Sequence, residues 1–377
     1  MEPILSKYLH AKGKKLGLPI AGTFELTPRC NFNCKMCYVH LSEAEQKRRG
    51  DELPAEYWLT LAEQAKRAGT VFLLLTGGEP TLRPDFPTIY REIQKMGFVL
   101  SLNSNGYLLC GELRELLLEA PPARVSISLY GADNAAYERL CGVPAYDRVA
   151  ENIRALRKAG IDVRITMSVT PDNCDELPNV LREAERIGAK AIAASYMFPP
   201  LRAHPERVGE NFRVSPEAAG RFYTAYNRLT RKPDAFCRLA DALRSGGGER
   251  DEIDDCCLPP EGEGITCRAG VTSFWATWDG KLLPCGQMLE PSVDVVSTDF
   301  AEAWRILRER TAQIRLPAAC LSCADRNGCQ VCAAKCYSET GRFDGVPEYV
   351  CRMGRAYLKT MQAEREKIME GGYEDQT

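Results

Sequence analysis

No apolar run in this 377-residue chain approaches the roughly 20 residues needed to span a bilayer; the longest, such as Val71–Leu75, suit a strand. The segment from Met1 to Lys15 is polar and basic and lacks the apolar core of a secretory signal. A strong charge of either sign is also missing. Against 49 Lys and Arg stand 51 Asp and Glu, a formal net charge of −2, which excludes the bulk field that draws a protein to nucleic acid or an anionic membrane. These absences predict a cytoplasmic protein with neither nucleic acid nor membrane as partner.

Cysteine is what the chain has in excess. Seventeen is an odd number, and without a secretory signal they are expected to stay reduced, which points to metal rather than disulfides. Ten lie between Cys256 and Cys351, where there is no histidine, and three form a tight group at Cys30, Cys34 and Cys37. Cys110, Cys141, Cys174 and Cys237 lack ligand spacing and read as ordinary buried thiols.

The apolar content of 45% and charged content of 27% are ordinary for a globular chain, and the length allows one large domain with a smaller one. Short β-branched runs alternate with amphipathic segments up to about residue 200. The spacing predicts strands at Gly22–Thr27, Val71–Thr76, Val99–Asn103, Arg124–Leu129, Val163–Val169 and Ala191–Met197. Six such units with helices between them imply a parallel sheet curled into a partial (β/α)6 TIM barrel, with an open doubly wound sheet as the alternative. The expected organisation is a barrel over 16–200, a connecting or lid segment over 201–255, a small cysteine-rich α+β domain over 256–355, and a C-terminal helix and tail over 356–377. Ser245-Gly-Gly-Gly reads as a flexible joint, Trp275-Ala-Thr-Trp-Asp279-Gly280 as a type I′ hairpin, and the tail from Arg355 to Met369 as a solvated helix.

The first cysteine group, Cys30-Asn-Phe-Asn-Cys34-Lys-Met-Cys37, directly follows the first strand. Three thiolates at this spacing can wrap one face of a cubane and leave its fourth iron without a protein ligand. A zinc site completed by His40 is the alternative. The second, third and fourth strands end in Thr76-Gly77-Gly78-Glu79-Pro80, Asn103-Ser104-Asn105-Gly106 and Ser126-Ile-Ser128-Leu-Tyr130-Gly131. Chemistry collects at such strand ends in parallel barrels.

In this order the motifs resemble those of the radical S-adenosylmethionine (radical SAM) superfamily: C-x3-C-x-aromatic-C, GGEP, and the stretches that line the bound cofactor. Met36 stands where the aromatic residue usually sits, and Tyr130 where many relatives carry Asp. The resemblance implies a catalytic 4Fe-4S cluster on Cys30, Cys34 and Cys37. It implies S-adenosyl-L-methionine held by Met36, Tyr38, Gly77, Gly78, Glu79, Pro80, Asn103, Ser104, Asn105, Ser128, Arg164 and Met197. Reductive cleavage of that cofactor gives a 5′-deoxyadenosyl radical, which abstracts hydrogen from the substrate.

The later cysteines run Cys267, Gly280-x4-Cys285, Cys320-x2-Cys323-x5-Cys329, Cys332, Cys336 and Cys351. This resembles the SPASM extension of radical enzymes that mature peptides, and the resemblance implies two auxiliary 4Fe-4S clusters. One would take Cys320, Cys323, Cys329 and Cys351. The other would take Cys267, Cys285 and one later cysteine, with Cys256 or Cys257 as a fourth ligand. The family's next position falls on Ala333, so Cys332 and Cys336 compete for one role. Zinc sites are again the alternative.

The resemblance implies a radical enzyme acting on a peptide or protein, through a thioether, a carbon–carbon crosslink or an oxidation. The auxiliary clusters would accept the electron, and flavodoxin or ferredoxin would donate one. With 29 residues before Cys30, a peptide is expected to need a separate carrier protein or to dock near 198–216. Cys285 is followed by Gly286 rather than the Asp base of the sulfatase-maturing branch. Glu25, Tyr130, Tyr196 and Asp279 are the candidate bases or hydrogen donors. Two other readings stand beside this one. A tetrapyrrole-modifying decarboxylase would use Arg202, His204, Arg207 and Arg213 to meet propionates, and a metal or electron-transfer protein would have no catalysis at all.

Overall fold

The computed structural model describes residues 4–245, 264–265 and 267–371. Cys256, Cys257 and the glycines after Ser245 lie outside the described residues. After a helix α1 (Ile4–Leu16), the chain lays down β1 (Ala21–Glu25), α2 (Glu43–Arg49), α3 (Ala55–Arg67), β2 (Phe72–Thr76), α4 (Phe86–Lys95), β3 (Val99–Ser104), α5 (Gly111–Glu119), β4 (Arg124–Ser128), α6 (Asn134–Cys141), α7 (Tyr146–Lys158), β5 (Val163–Ser168), α8 (Leu177–Ile187) and β6 (Lys190–Ala194). Two helices, α9 (Pro216–Thr230) and α10 (Pro233–Ser245), follow. The cysteine-rich region contributes β7 (Ser273–Ala276), β8 (Lys281–Leu283), β9 (Val293–Asp294), α11 (Phe300–Thr311), α12 (Ala318–Leu321), α13 (Ala333–Thr340) and α14 (Glu348–Met369).

The strands form one sheet in the order β6-β5-β4-β3-β2-β1-β7-β8-β9, with β1 to β6 all parallel. The apolar side chains of β1 to β5 and of the covering helices share one core, including Phe24, Leu75, Leu102, Ile127 and Ile165 with Trp58, Ile93 and Leu156. The sheet is a partial barrel with an open edge at β6. That edge is capped by α9, whose Tyr226 hydroxyl donates to the Ala191 carbonyl at 3.1 Å, so the unpaired strand is not left bare.

Two features depart from the sequence reading. First, the hairpin of the cysteine-rich region does not stand apart: β7 pairs in parallel with β1, Phe24 opposite Ala276, and carries the barrel sheet onward. Second, the tail helix is longer than expected and far from solvated. α14 buries Val350, Met353, Tyr357 and Met361, and it presses so close to α9 that a Cβ on Gly220 would stand 2.5 Å from the Met353 carbonyl. Charges at Arg355, Lys359 and Glu364 to Lys367 had masked that stripe. Among the described residues no helix is long and apolar enough to cross a membrane.

Candidate active site

The loop after β1 is fixed before its cysteines begin. Arg29 holds Glu52 through two hydrogen bonds of 2.7 Å, and buried Arg83 donates to the carbonyls of Leu26 and Leu53 at 2.8 and 3.0 Å. Cys30 accepts from the Phe32 N–H at 3.3 Å and from the Asn105 amide at 3.7 Å. Cys37 accepts from the His40 N–H at 3.3 Å. The C-terminal end of α6 braces the loop, because the Asn33 and Lys35 N–H groups donate to the carbonyls of Cys141 and Leu140.

Burial and the neighbouring acidic groups push the Cys30 thiol up to about 12 and Cys37 up to about 11. Such thiols become thiolates only when a metal supplies compensating charge, and three buried thiols on one short loop suit three irons of a cubane. Among the described residues no three Cys, His, Asp or Glu side chains converge as they would around one bound metal ion.

The other strand ends meet this loop, though not always as the sequence suggests. Gly77 (φ +152°) and Gly78 are glycine because a Cβ would stand 2.4 Å from the Thr27 carbonyl and 2.3 Å from that of Arg29. They admit the close approach of the chain's own backbone. Glu79 is fully buried and accepts from the Thr81 and Asn105 N–H groups and the Ser104 hydroxyl, so its carboxylate ties β2 to β3. Pro80 opens a short helical turn that Glu79 caps. Asn105 reaches the cysteine loop, while Asn103 is half-buried on β3.

Burial first, then nearby Cys34 and Cys141, drives the phenol of Tyr130, which lies beside Ser128, well up. Arg164 lies half-buried on β5, paired in register with Ser126. Met36 and Met197 are buried in the main core. Tyr196 is buried too, its hydroxyl donating to Glu339 at 2.5 Å. Asp279 is exposed in the hairpin turn and accepts from the Thr277 hydroxyl at 2.5 Å. That contact shapes the turn.

Glu25, at the end of β1, is different. Its side chain is completely buried and pairs with Arg202, and Trp275 Nε1 donates to Oε2 at 2.8 Å. The Arg202 guanidinium also donates to the Gly286 carbonyl at 2.7 Å and lies over the rings of Tyr38 and Trp275, 5.9 and 5.6 Å from their centroids. Glu25 Oε1 and Arg202 Nε are buried without a hydrogen-bond partner. Gly286 has no room for a side chain, since a Cβ would stand 2.8 Å from the Trp275 ring. This hub joins three remote segments and sits between the two cysteine regions: Cys37 and Cys285 both act electrostatically on Tyr38. Nothing in local spacing signals it.

In the second region, Cys285 is pushed up to about 11, chiefly by burial, and lies within electrostatic reach of Cys332. Cys329 neighbours Cys351 and Cys320, and Cys351 neighbours Cys320 and Cys323. Fully buried Cys336 lies among Cys332, Cys320, Cys329 and Cys351. Cys267 is half-buried just ahead of the bridge between Ala269 and Ser273.

Residues 24–206 match the Radical SAM superfamily model. The chain is a radical SAM enzyme. A relative from Methanosarcina barkeri named AdoMet-dependent heme synthase is 26% identical over 344 residues, 88% of this chain and 96% of its own. The PqqA peptide cyclase of Streptomyces rochei is 30% identical over 177 residues, 47% of this chain and 48% of its own. Among solved structures, Streptococcus suis SuiB, seen with its precursor peptide SuiA, superposes with a TM-score of 0.66 at 18% identity, covering 92% of this chain and 80% of its own. That likeness establishes the fold. The superfamily's cofactors, a 4Fe-4S cluster and S-adenosylmethionine, are therefore those of the radical SAM barrel described above, and the thiol loop has the donor set to receive the cluster.

Proposed function

We propose that this radical SAM enzyme modifies a peptide or protein, with auxiliary iron–sulfur clusters on its C-terminal cysteines. The observation that carries the substrate class is the state of the basic residues a carboxylate-rich substrate would need. Arg202 is paired with Glu25, His204 with Glu206 at 3.3 Å, Arg207 with Glu210 at 3.7 Å and Arg213 with Glu339 at 2.5 Å. Each faces a carboxylate already, so this segment offers propionates no uncompensated cation. A peptide needs none.

Cys30, Cys34 and Cys37 would hold the catalytic cluster. When bound, cluster and S-adenosylmethionine supply a 5′-deoxyadenosyl radical that abstracts hydrogen. The chain's own residues do the rest. Tyr38, Trp275 and the buried Glu25–Arg202 pair stand between the two cysteine regions and would help to keep water from the reacting centre. Glu25 Oε1, the buried acceptor left unpartnered, would take the proton released when a nucleophile of the substrate adds to the activated carbon, while Arg202 holds the carboxylate in place. The electrostatic reach between Cys285 and Cys332 supports these two in one auxiliary set, to which the family pattern adds Cys267, and that among Cys320, Cys323, Cys329 and Cys351 supports the other. Flavodoxin or ferredoxin would deliver the electron, and a separate carrier could present the peptide.

A second reading, a tetrapyrrole decarboxylase, is favoured by the heme synthase relatives that match most of the chain. One experiment separates the two. The anaerobically reconstituted protein is given S-adenosylmethionine, a reductant and either an iron tetrapyrrole bearing propionates or short peptides encoded beside its gene. Loss of hydrogen from a peptide, with the tetrapyrrole unchanged in mass, supports the proposal. Decarboxylation of the tetrapyrrole overturns it.

A further inference from the structure

The segment between β6 and α9, residues 198–214, is held from two sides. On one side it meets the catalytic thiol loop. Asn211 Nδ2 donates to the Met36 carbonyl at 3.5 Å, and the Lys35 ammonium stands 5.2 Å from the centroid of the Phe212 ring. Both loop residues lie between Cys34 and Cys37. On the other side the segment meets the cysteine-rich region. The Gly209 N–H donates to the Ser338 carbonyl of α13 at 2.8 Å. Arg213 donates to the two carboxylate oxygens of Glu339, also on α13, at 2.5 and 3.1 Å. Glu339 further accepts from the hydroxyl of Tyr196, just after β6, at 2.5 Å. The Arg213 guanidinium lies 3.7 Å from the centroid of the Tyr349 ring on α14, and the Tyr349 hydroxyl donates to the Val214 carbonyl at 2.8 Å.

Burial sets this pair apart from others in the segment. The side chains of Arg213 and Glu339 are 10% and 6% exposed, whereas those of His204–Glu206 and Arg207–Glu210 are all at least 41% exposed and both partners lie within the segment. An exposed pair contributes little. A buried pair fixes which surfaces meet, because either charge left alone there is costly. We infer that Glu339 is a positioning residue for the radical site: through Arg213 and Tyr196 it holds the segment 198–214 against the catalytic thiol loop, so that the cysteine-rich region sets how that site is closed. α13 starts directly after Cys332 and carries Cys336, so whatever orders those cysteines also orders the carboxylate that holds the segment. The inference rests on the thiol loop being the radical site.

The test uses the full-length, anaerobically reconstituted protein and compares the parent with Glu339→Gln, which keeps the side chain's size and removes its charge. Amide hydrogen exchange across 198–214 should rise about tenfold or more, as expected for losing hydrogen bonds to a charged group, while β1 to β5 keep their protection. The KM for S-adenosylmethionine in 5′-deoxyadenosine formation should rise with a smaller change in kcat, because Lys35 and Met36 lose their support. The double variant Arg213→Met, Glu339→Leu removes both charges and controls for an unpaired buried arginine. It should keep its iron and show the same two changes. Unchanged exchange across 198–214 in both variants overturns the inference. So does a rise spread evenly over α13, α14 and the barrel, or an unaltered KM, either of which would make the pair a packing contact. Failure of the underlying reading has its own signature: Cys34→Ala would still form 5′-deoxyadenosine.

Discussion

The two thiol regions of this molecule are built on opposite principles. The loop carrying Cys30, Cys34 and Cys37 is framed by the barrel: Arg29 and Arg83 fix its entry, α6 braces its middle, and the sulfurs of Cys30 and Cys37 already have donors. The later cysteines sit on short elements around a small core made of Met288, Ile314, Leu316 and Val331 together with Cys320 and Cys336 themselves. There the ligands are part of what must be packed. On the proposed ligation, a region with so little apolar area would depend on its metal to fold, whereas the barrel would not.

The contrast can be broken most dramatically by stripping the iron. Anaerobic chelation should strongly increase amide hydrogen exchange across 267–351 and leave β1 to β6 close to their loaded protection. Equal loss in both regions would erase the distinction. Next comes the ligand register. Cys332→Ser should lower the iron content by about four atoms per chain, one cubane's worth. Cys336→Ser should hold its iron, and the reverse pattern would exchange the two roles.

A smaller effect tests the hub that joins the regions. Glu25→Ala leaves the Arg202 guanidinium buried and uncompensated, and urea denaturation should register a loss of about 3–5 kcal/mol. Replacing Arg202 by Met in the same chain should recover much of it. The smallest expected effect is Gly286→Ala, whose Cβ would stand 2.8 Å from the Trp275 ring. Overpacking of this kind costs about 1–3 kcal/mol, visible as a lower denaturation midpoint.

The barrel strands were legible because each is a short apolar run with a turn at its end: β3, expected over Val99–Asn103, spans Val99–Ser104, and β5, expected over Val163–Val169, spans Val163–Ser168. Parallel pairing of β7 onto β1 was not legible, since parallel strands need no turn signal between them. The thiol loop could be read from spacing alone. The meeting of Glu25, Arg202 and Trp275 could not, although each was singled out separately, because they come from three remote segments. Glu79 illustrates a third case. Its motif marks the right turn, yet the carboxylate serves the ends of β2 and β3, and only the burial around it reveals that.

The most direct test of the radical assignment removes all three loop thiols at once. In the anaerobically reconstituted Cys30→Ala, Cys34→Ala, Cys37→Ala protein, the iron content should fall from about twelve to about eight atoms per chain. The S-adenosylmethionine-sensitive resonance signal should vanish, and no 5′-deoxyadenosine should form. A triple variant that still produced 5′-deoxyadenosine would contradict the account.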